Sequence, residues 1–511
     1  MLMETNNKIE FGDWQTSLDL ALQVCKLLKE TGVNPKVIIE PTCGKGNFIL
    51  AALQIFEDIE DVYGIEIYKP YIDELEKGLQ QYYIANSNKS KPTIHLYNQS
   101  IFKFDFDEIE NDLRDREILV LGNLPWVTNS KLGTIGSDNL PTKTNFKNLG
   151  GLDAMTGKSN FDIAESICYQ LINFLIGKKA HISLLLKNSV VKNILFRQEK
   201  FPISISNIQQ YNIDAKREFG ASVAACLFYC LVDEKYSKCC GIKDFYTRDK
   251  LQKYGWVNEK FVSDVESYKD NLFIDGESQL EWRSGIKHDC SKVMELTFDG
   301  SKYVNGYGEM VDIEEDLVYP LLKSSDIKEE IISSTKKYVI VTQQSPSDDT
   351  QFIRFKYPKT YSYLLSHSKE LDNRASRVYK RRPRFCMFGI GEYSFKPYKI
   401  AVSGLYKKIN FSIITPINNK SVMVDDTCYI LGFDTLEEAK MIQELLNTKQ
   451  VQEFIKSIVF TDAKRVVNKE LLMRIDLLKL IEYLSNLEKQ EMQQHYKYLK
   501  SNIITTQISL F

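Results

Sequence analysis

Short apolar runs alternate with amphipathic helical segments through the first 235 residues, and that alternation leaves few folds open. Lys36-Val37-Ile38-Ile39-Glu40, Val62-Tyr63-Gly64-Ile65-Glu66-Ile67, Thr93-Ile94-His95-Leu96-Tyr97, Ile118 to Leu121 and Ala180 to Leu186 read as strands. Between them, Asn47 to Phe56, Tyr71 to Tyr83 and Phe161 to Ile176 carry apolar residues at helical spacing. Strands near Ile203 to Tyr211 and Val223 to Leu231 complete the pattern as a hairpin. Strand–helix alternation of this kind predicts an α/β fold with a mostly parallel sheet covered on both faces. Ligands in such sheets bind at the carboxyl ends of the strands, near the point where strand order reverses. The chemistry-bearing motifs of this chain fall at those ends.

The most specific is Asn123-Leu124-Pro125-Trp126, directly after the fourth strand. An Asn side-chain oxygen accepts one hydrogen bond from a planar amino group. The Leu124 carbonyl, fixed by the Pro125 turn, can accept the other, and the Trp126 ring offers a stacking face. That set suits methyl transfer to the exocyclic nitrogen of adenine. A strand ending in a proline turn beside a core tryptophan is the plainer alternative.

Glu40-Pro41-Thr42-Cys43-Gly44-Lys45-Gly46-Asn47-Phe48 joins the first strand to the first helix after it. Gly44 and Gly46 let backbone approach a ligand closely. The spacing is not G-x-G-x-x-G, and no Gly-Lys-Ser/Thr follows, so a phosphate cradle is disfavoured. A nucleoside bearing a sulfonium cation fits better, with Glu40 as nearby negative charge. Glu66 ends the second strand, where an acid can accept bonds from both ribose hydroxyls. Phe11-Gly12-Asp13-Trp14-Gln15-Thr16 precedes a helix over Leu18 to Leu28, with Thr16 or Ser17 as its cap. The functional reading sets Thr16 beside the amino-acid end of the cofactor.

In this order the motifs resemble a gamma-class adenine-N6 DNA methyltransferase of restriction–modification type. The detailed match covers roughly the first 235 residues. The resemblance implies a Rossmann-like seven-stranded methyltransferase domain over 1–240, followed by an α+β target-recognition domain over 241–511 with C-terminal helices. It implies S-adenosylmethionine as methyl donor and double-stranded DNA as partner. It carries Thr16, Glu40, Pro41, Thr42, Cys43, Gly44, Gly46, Glu66 and Ile67 over to the cofactor pocket, and Asn123 to Trp126 to catalysis. One departure stands out. The family places an Asp after the third strand to touch the cofactor's adenine, whereas this chain has Asn98-Gln99-Ser100, so Gln99 or Ser100 substitutes. The family also places an aromatic on a late strand as the second face of a base sandwich. Phe228 fits that element, with Tyr229 as the alternative.

The 511 residues are 43% hydrophobic and 26% charged with formal net charge −2, which suits two to four ordinary domains. The N-terminus lacks the apolar core of a signal peptide, and no run has the length of a membrane span. Ten cysteines without a Cys-x-x-Cys pair and five histidines without ligand spacing give no metal site and suggest reduced thiols in a cytoplasmic protein.

Near-neutral charge makes its local distribution the informative quantity. Arg374, Arg377, Lys380, Arg381, Arg382 and Arg384 fall within eleven residues, interleaved with Tyr379. Such a run predicts phosphate contact. Lys287, in Trp282 to Cys290 at the opening of the recognition region, and Lys464-Arg465 add to it. Ser130 to Ser159, rich in Gly, Asn, Thr and Lys, reads as a loop able to close on DNA, and Leu471 to Leu499 as a terminal helix pair. The enzyme is expected to act as a monomer on DNA, alongside a separately encoded cognate endonuclease. The competing functions are an RNA or protein glutamine-amide methyltransferase, or a noncatalytic DNA-binding protein on a degenerate methylase fold.

Overall fold

The structure is a computed structural model and describes residues 14–88, 91–127, 162–233, 235–406, 408–460 and 465–487. The expectations placed on Phe11 to Asp13, the loop 130–159, Lys464 and the chain beyond 487 lie outside the described residues. The chain divides into two compact units, 1–261 and 262–511.

The first unit is built on one sheet. In chain order its elements are α1 (Leu18–Glu30), β1 (Val37–Glu40), α2 (Asn47–Ile55), β2 (Asp61–Glu66), α3 (Lys69–Ala85), β3 (Thr93–Asn98), α4 (Asp107–Glu110), β4 (Ile118–Asn123), α5 (Ile163–Leu175), β5 (Ala180–Lys187), α6 (Asn188–Arg197), β6 (Ile205–Ile213), α7 (Ala215–Phe219), β7 (Ala225–Val232), β8 (Cys239–Asp244) and β9 (Lys250–Val257). Strand order across the sheet is β9-β8-β6-β7-β5-β4-β1-β2-β3, with a short strand Lys260–Val262 outside β9. The pairs from β3 to β5 are parallel. β7 is antiparallel to both β5 and β6.

Burial explains why the strands were visible as apolar runs. β1 is buried along its whole length and β4 at all but Asn123, as expected of parallel strands covered on both faces. The chain leaves β1 for β2 and β3 on one side, then returns to β4 on the other. The switch point therefore lies between β1 and β4, and it brings the Glu40 and Asn123 ends together. α1 packs on the same core through Leu20, Val24 and Leu28. Its cap is Ser17, whose Oγ accepts the Leu20 N–H at 3.2 Å, and Thr16 stays outside that bond.

The sheet runs past residue 240. β8 is parallel to β6 and β9 antiparallel to β8, so the division falls at 261/262 rather than 240/241. The sequence hid these strands because Lys250-Leu251-Gln252-Lys253 is largely solvent-facing and polar.

The second unit is α+β. It holds a six-stranded sheet centred on Glu295–Phe298, Lys337–Ile340 and Val318–Leu322, and a five-stranded sheet in which Tyr398–Ser403 lies between Cys428–Phe433 and Ser412–Ile414. Within Trp282 to Cys290, Arg283–Ser284 pairs with Ile430 and Tyr429. The helices Leu436–Leu446 and Lys449–Ile458 bury one face each.

Candidate functional site

A cleft opens at the carboxyl ends of β1, β2, β3 and β4, enclosing ≈ 940 Å³ with its open mouth included. Thr16, Glu40, Pro41, Thr42, Cys43 and Gly44 line it, as do Glu66, Ile67, Gln99 and Ser100, and Asn123, Leu124 and Pro125 form a further wall. The two motifs that the sequence separates by some eighty residues thus share one cavity.

The first loop is braced from three sides. The Cys43 N–H donates to the Ile65 carbonyl at 2.9 Å. Gly44, at φ +53, donates its N–H to Glu66 Oε2 at 2.8 Å, while Glu66 Oε1 accepts the Tyr68 N–H at 2.8 Å. These bonds aim the Glu66 carboxylate across the loop. Thr42 Oγ1 donates to the Asn123 carbonyl at 3.1 Å and so ties the loop to the turn after β4. At φ +53 any other residue at Gly44 would be strained, and its Cβ would displace the flexible Gln15 amide, whose Oε1 would lie 2.9 Å away. Gly46 is not a lining residue. It caps α2 at φ +76, where a Cβ would meet Leu75 Cδ1 at 2.1 Å, so its role is α2–α3 packing.

Glu40 is 2% exposed, and its Oε2 has no partner among the described residues. Burial holds its pKa well above the usual carboxylate range. Glu66 pushes the same way, and a bond from the Ile49 backbone opposes both. Gly122, at φ +150, makes room for it: a Cβ there would lie 3.3 Å from Glu40 Cγ. Thr16 Oγ1 is likewise buried without a partner. The Cys43 thiol is pushed far up by burial, then by Glu40 and Glu66, which makes it a neutral wall rather than a nucleophile.

Asn123 has its amide oriented by the fold. Nδ2 donates to the Trp14 carbonyl at 2.6 Å, and Oδ1 is buried with no partner among the described residues. A buried acceptor without a donor is costly, about 1–3 kcal/mol, a cost that a ligand N–H would remove. Trp126 lies outside the cleft lining. It is 8% exposed, 6.1 Å from Trp14 and 5.1 Å edge-on from Phe219, with its Nε1 buried and unpartnered.

The second stacking aromatic requires correction. Phe228 is fully buried in the middle of β7, opposite Leu184 and Gln210. Tyr229 is spoken for by His181 Nδ1, 3.0 Å from its hydroxyl, in the same sheet. Because β7 is antiparallel, the end it presents beside the carboxyl ends of β4 and β5 is Ala225, not its middle. The aromatic at that end is Phe219, closing α7 and half-buried against Trp126. The sequence missed it because it closes the polar stretch Lys216-Arg217-Glu218 rather than sitting in an apolar strand.

Tyr68, Tyr71 and Phe102 also line the cleft and were not singled out. Ser100 Oγ already accepts the Phe102 N–H at 3.3 Å, which leaves Gln99 the better placed of the two to meet an adenine amino group. Asn98 donates to the Glu66 and Ile67 carbonyls at 3.0 Å each and fixes the β2–β3 corner.

In the second unit the predicted cations sort into two kinds. Lys287 is paired with Asp289 at 2.9 Å and Asp426 at 3.6 Å. Arg374 donates to the carbonyls of Leu371, His288 and Cys386, and Arg384 is doubly bonded to Asp372. Arg377, Lys380, Arg381 and Arg382 are exposed and form no ion pair among the described residues. Among those residues there is also no group of three or more His, Cys, Asp or Glu placed to hold a metal, and no helix is long and apolar enough to cross a membrane.

No protein-family model matches the chain. The chain is 42% identical over 475 residues to the type II methyltransferase M.NspV of Nostoc sp. (strain ATCC 29411 / PCC 7524), covering 92% of this chain and 97% of that one. Among solved structures it is similar to the type IIL restriction–modification enzyme MmeI in complex with DNA, at 13% identity and TM-score 0.48 over 96% of this chain and 71% of that one. It is also similar to the M protein of the type I restriction enzyme EcoKI, at 11% identity and TM-score 0.31 over 45% and 48%. With both motifs in one cleft and identity of this extent along nearly the whole length, the chain belongs to the type II methyltransferases.

Proposed function

We propose that this methyltransferase modifies the N6 amino group of an adenine flipped out of duplex DNA, with S-adenosylmethionine as methyl donor, as the modification member of a restriction–modification system. The observation that carries the reading is Asn123: its donor is spent on Trp14 and its acceptor is left bare at the wall of the cleft.

The residues present fit the donor. Glu40 Oε2 and Thr16 Oγ1 are buried and unpartnered beside the first loop, an acceptor set for a cationic ligand with an amino-acid end. Glu66 would take the ribose hydroxyls, Gln99 the adenine amino group, and Ile67 and Phe102 the faces of the adenine ring. When bound, the donor supplies a methyl group on a sulfonium, already activated for transfer. The protein's part is positioning. Asn123 Oδ1 and the Leu124 carbonyl each accept one N6–H. That draws the nitrogen lone pair out of conjugation and aims it across the cleft. Phe219, edge-on to Trp126 just beyond the cleft lining, is the aromatic placed to meet the flipped base. The first unit would carry catalysis and the second target recognition, with a separately encoded endonuclease cutting the unmodified site.

Methyl incorporation from tritiated donor into unmethylated duplex DNA, followed by nucleoside analysis, tests this. The expected product is N6-methyladenine. N4-methylcytosine as sole product, or label found only in RNA or protein, overturns the reading. Asn123→Ala should lower incorporation by about 100-fold or more, the scale on which loss of one transition-state hydrogen bond acts, with an unchanged thermal midpoint.

A further inference from the structure

We infer that residues 375–382 form a preformed finger that grips the DNA backbone, and that the basic run divides into tethered cations that build this finger and unpaired, exposed cations that use it. The inference rests on the DNA reading above and deepens it.

Arg374 and Arg384 bracket the segment, and both are tied to its base, Arg374 by backbone carbonyls and Arg384 by an exposed pair with Asp372. Arg374 Nε donates to the Leu371 carbonyl at 2.8 Å, and its Nη1 donates to those of Cys386 at 2.6 Å and His288 at 3.2 Å. Its guanidinium lies 3.7 Å over the Tyr379 ring, which pins the middle of the finger from below. Arg384 holds Asp372 at the other side of the base through bonds of 3.1 and 2.5 Å. The chain leaving the finger is fixed by Thr342 Oγ1, which donates to the Phe385 carbonyl at 2.8 Å, and Phe385 itself is buried. Within the finger, Tyr379, Lys380 and Arg382 donate backbone N–H groups to Ser376, Arg377 and Tyr379. Arg381 sits at φ +64, a left-handed conformation unusual for a long side chain and held here by the anchored ends.

What this scaffold presents is charge. Arg377, Lys380, Arg381 and Arg382 are all exposed, and none forms an ion pair among the described residues, whereas Lys287 and Arg384 are neutralised by acids. Four uncompensated cations on one rigid turn, in a chain of formal net charge −2, match a polyanion of regular charge spacing. The turn is ordered before contact, so little conformational entropy is lost on binding.

The test is the salt dependence of binding to a fluorescein-labelled duplex of mixed sequence, followed by anisotropy. Each phosphate contact contributes about 0.9 to the slope of log K against log salt. Replacing Arg377, Lys380, Arg381 and Arg382 together by Ala should reduce the slope by roughly 3.6, so that binding falls about 150-fold less than wild type between 50 and 200 mM salt. The thermal midpoint should change little, because all four residues are exposed and Arg382 alone of them lies over a ring, Phe388 at 6.0 Å, among the described residues. Arg374→Gln should do the opposite, lowering the midpoint. A quadruple variant whose slope stays within one of wild type overturns the inference while leaving DNA methylation standing. A wild-type protein that neither binds duplex at low salt nor labels DNA overturns the reading on which the inference rests.

Discussion

Glu40 is the residue whose chemistry is most altered by its surroundings. An acid whose pKa is raised on folding binds more protons in the native than in the unfolded state. Stability of the ligand-free protein should therefore fall as pH rises from the ordinary carboxylate range toward the raised value of Glu40. A cationic ligand beside the carboxylate reverses this, because it favours the ionised form. Its binding then releases a proton and tightens up to tenfold per pH unit within that window. Glu40→Gln should flatten both dependences. Calorimetric titration with S-adenosylmethionine and with S-adenosylhomocysteine, which lacks the positive sulfur, separates the two, since only the former should release the proton. Glu40 was legible in the sequence as a strand-end acid beside glycines. Gly122, which gives it room, was not, because a glycine inside an apolar run carries no sign of what its missing side chain would strike.

At the scale of elements, the central strands announced themselves because both faces are buried, and their carboxyl ends led to the cleft. The late strands did not. β7 reads as apolar at every position, so its pattern alone does not tell which aromatic faces a ligand. Only its antiparallel direction leaves Phe228 in the core and brings the start of β7, with Phe219 shortly before it, to the end of the sheet where Asn123 lies. Phe219→Ala should leave the KM for S-adenosylmethionine unchanged and reduce methyl incorporation by the worth of one stacking contact, about 1–3 kcal/mol or five- to 150-fold. Phe219→Trp should recover most of it. Steady-state kinetics with each substrate varied in turn gives both numbers. The basic run shows the same limit from the other side. Six cations look alike in sequence, yet two are spent on carbonyls and a carboxylate within the fold.

For the whole molecule, the two compact units have cores of their own, so heat should unfold the chain in two calorimetric steps. The side chains proposed to hold the cofactor, from Thr16 to Phe102, all belong to the first unit. A cofactor analogue at 100 times its Kd should stabilise that unit by about 2.7 kcal/mol and shift one step only. A single transition, or an equal shift of both, would show that the units unfold together.

The parallel seam between β1 and β4 has a consequence for how the protein is made. β1 leaves the ribosome with only one of its two eventual neighbours in the next stretch of chain, since β4 begins at Ile118. At ordinary elongation speeds of about 5–20 residues per second, its other flank waits for several seconds. During translation that bare strand is the point on which a chaperone would act, and a transcript broken before Ile118 would encode a chain with an open seam where the nascent enzyme should close.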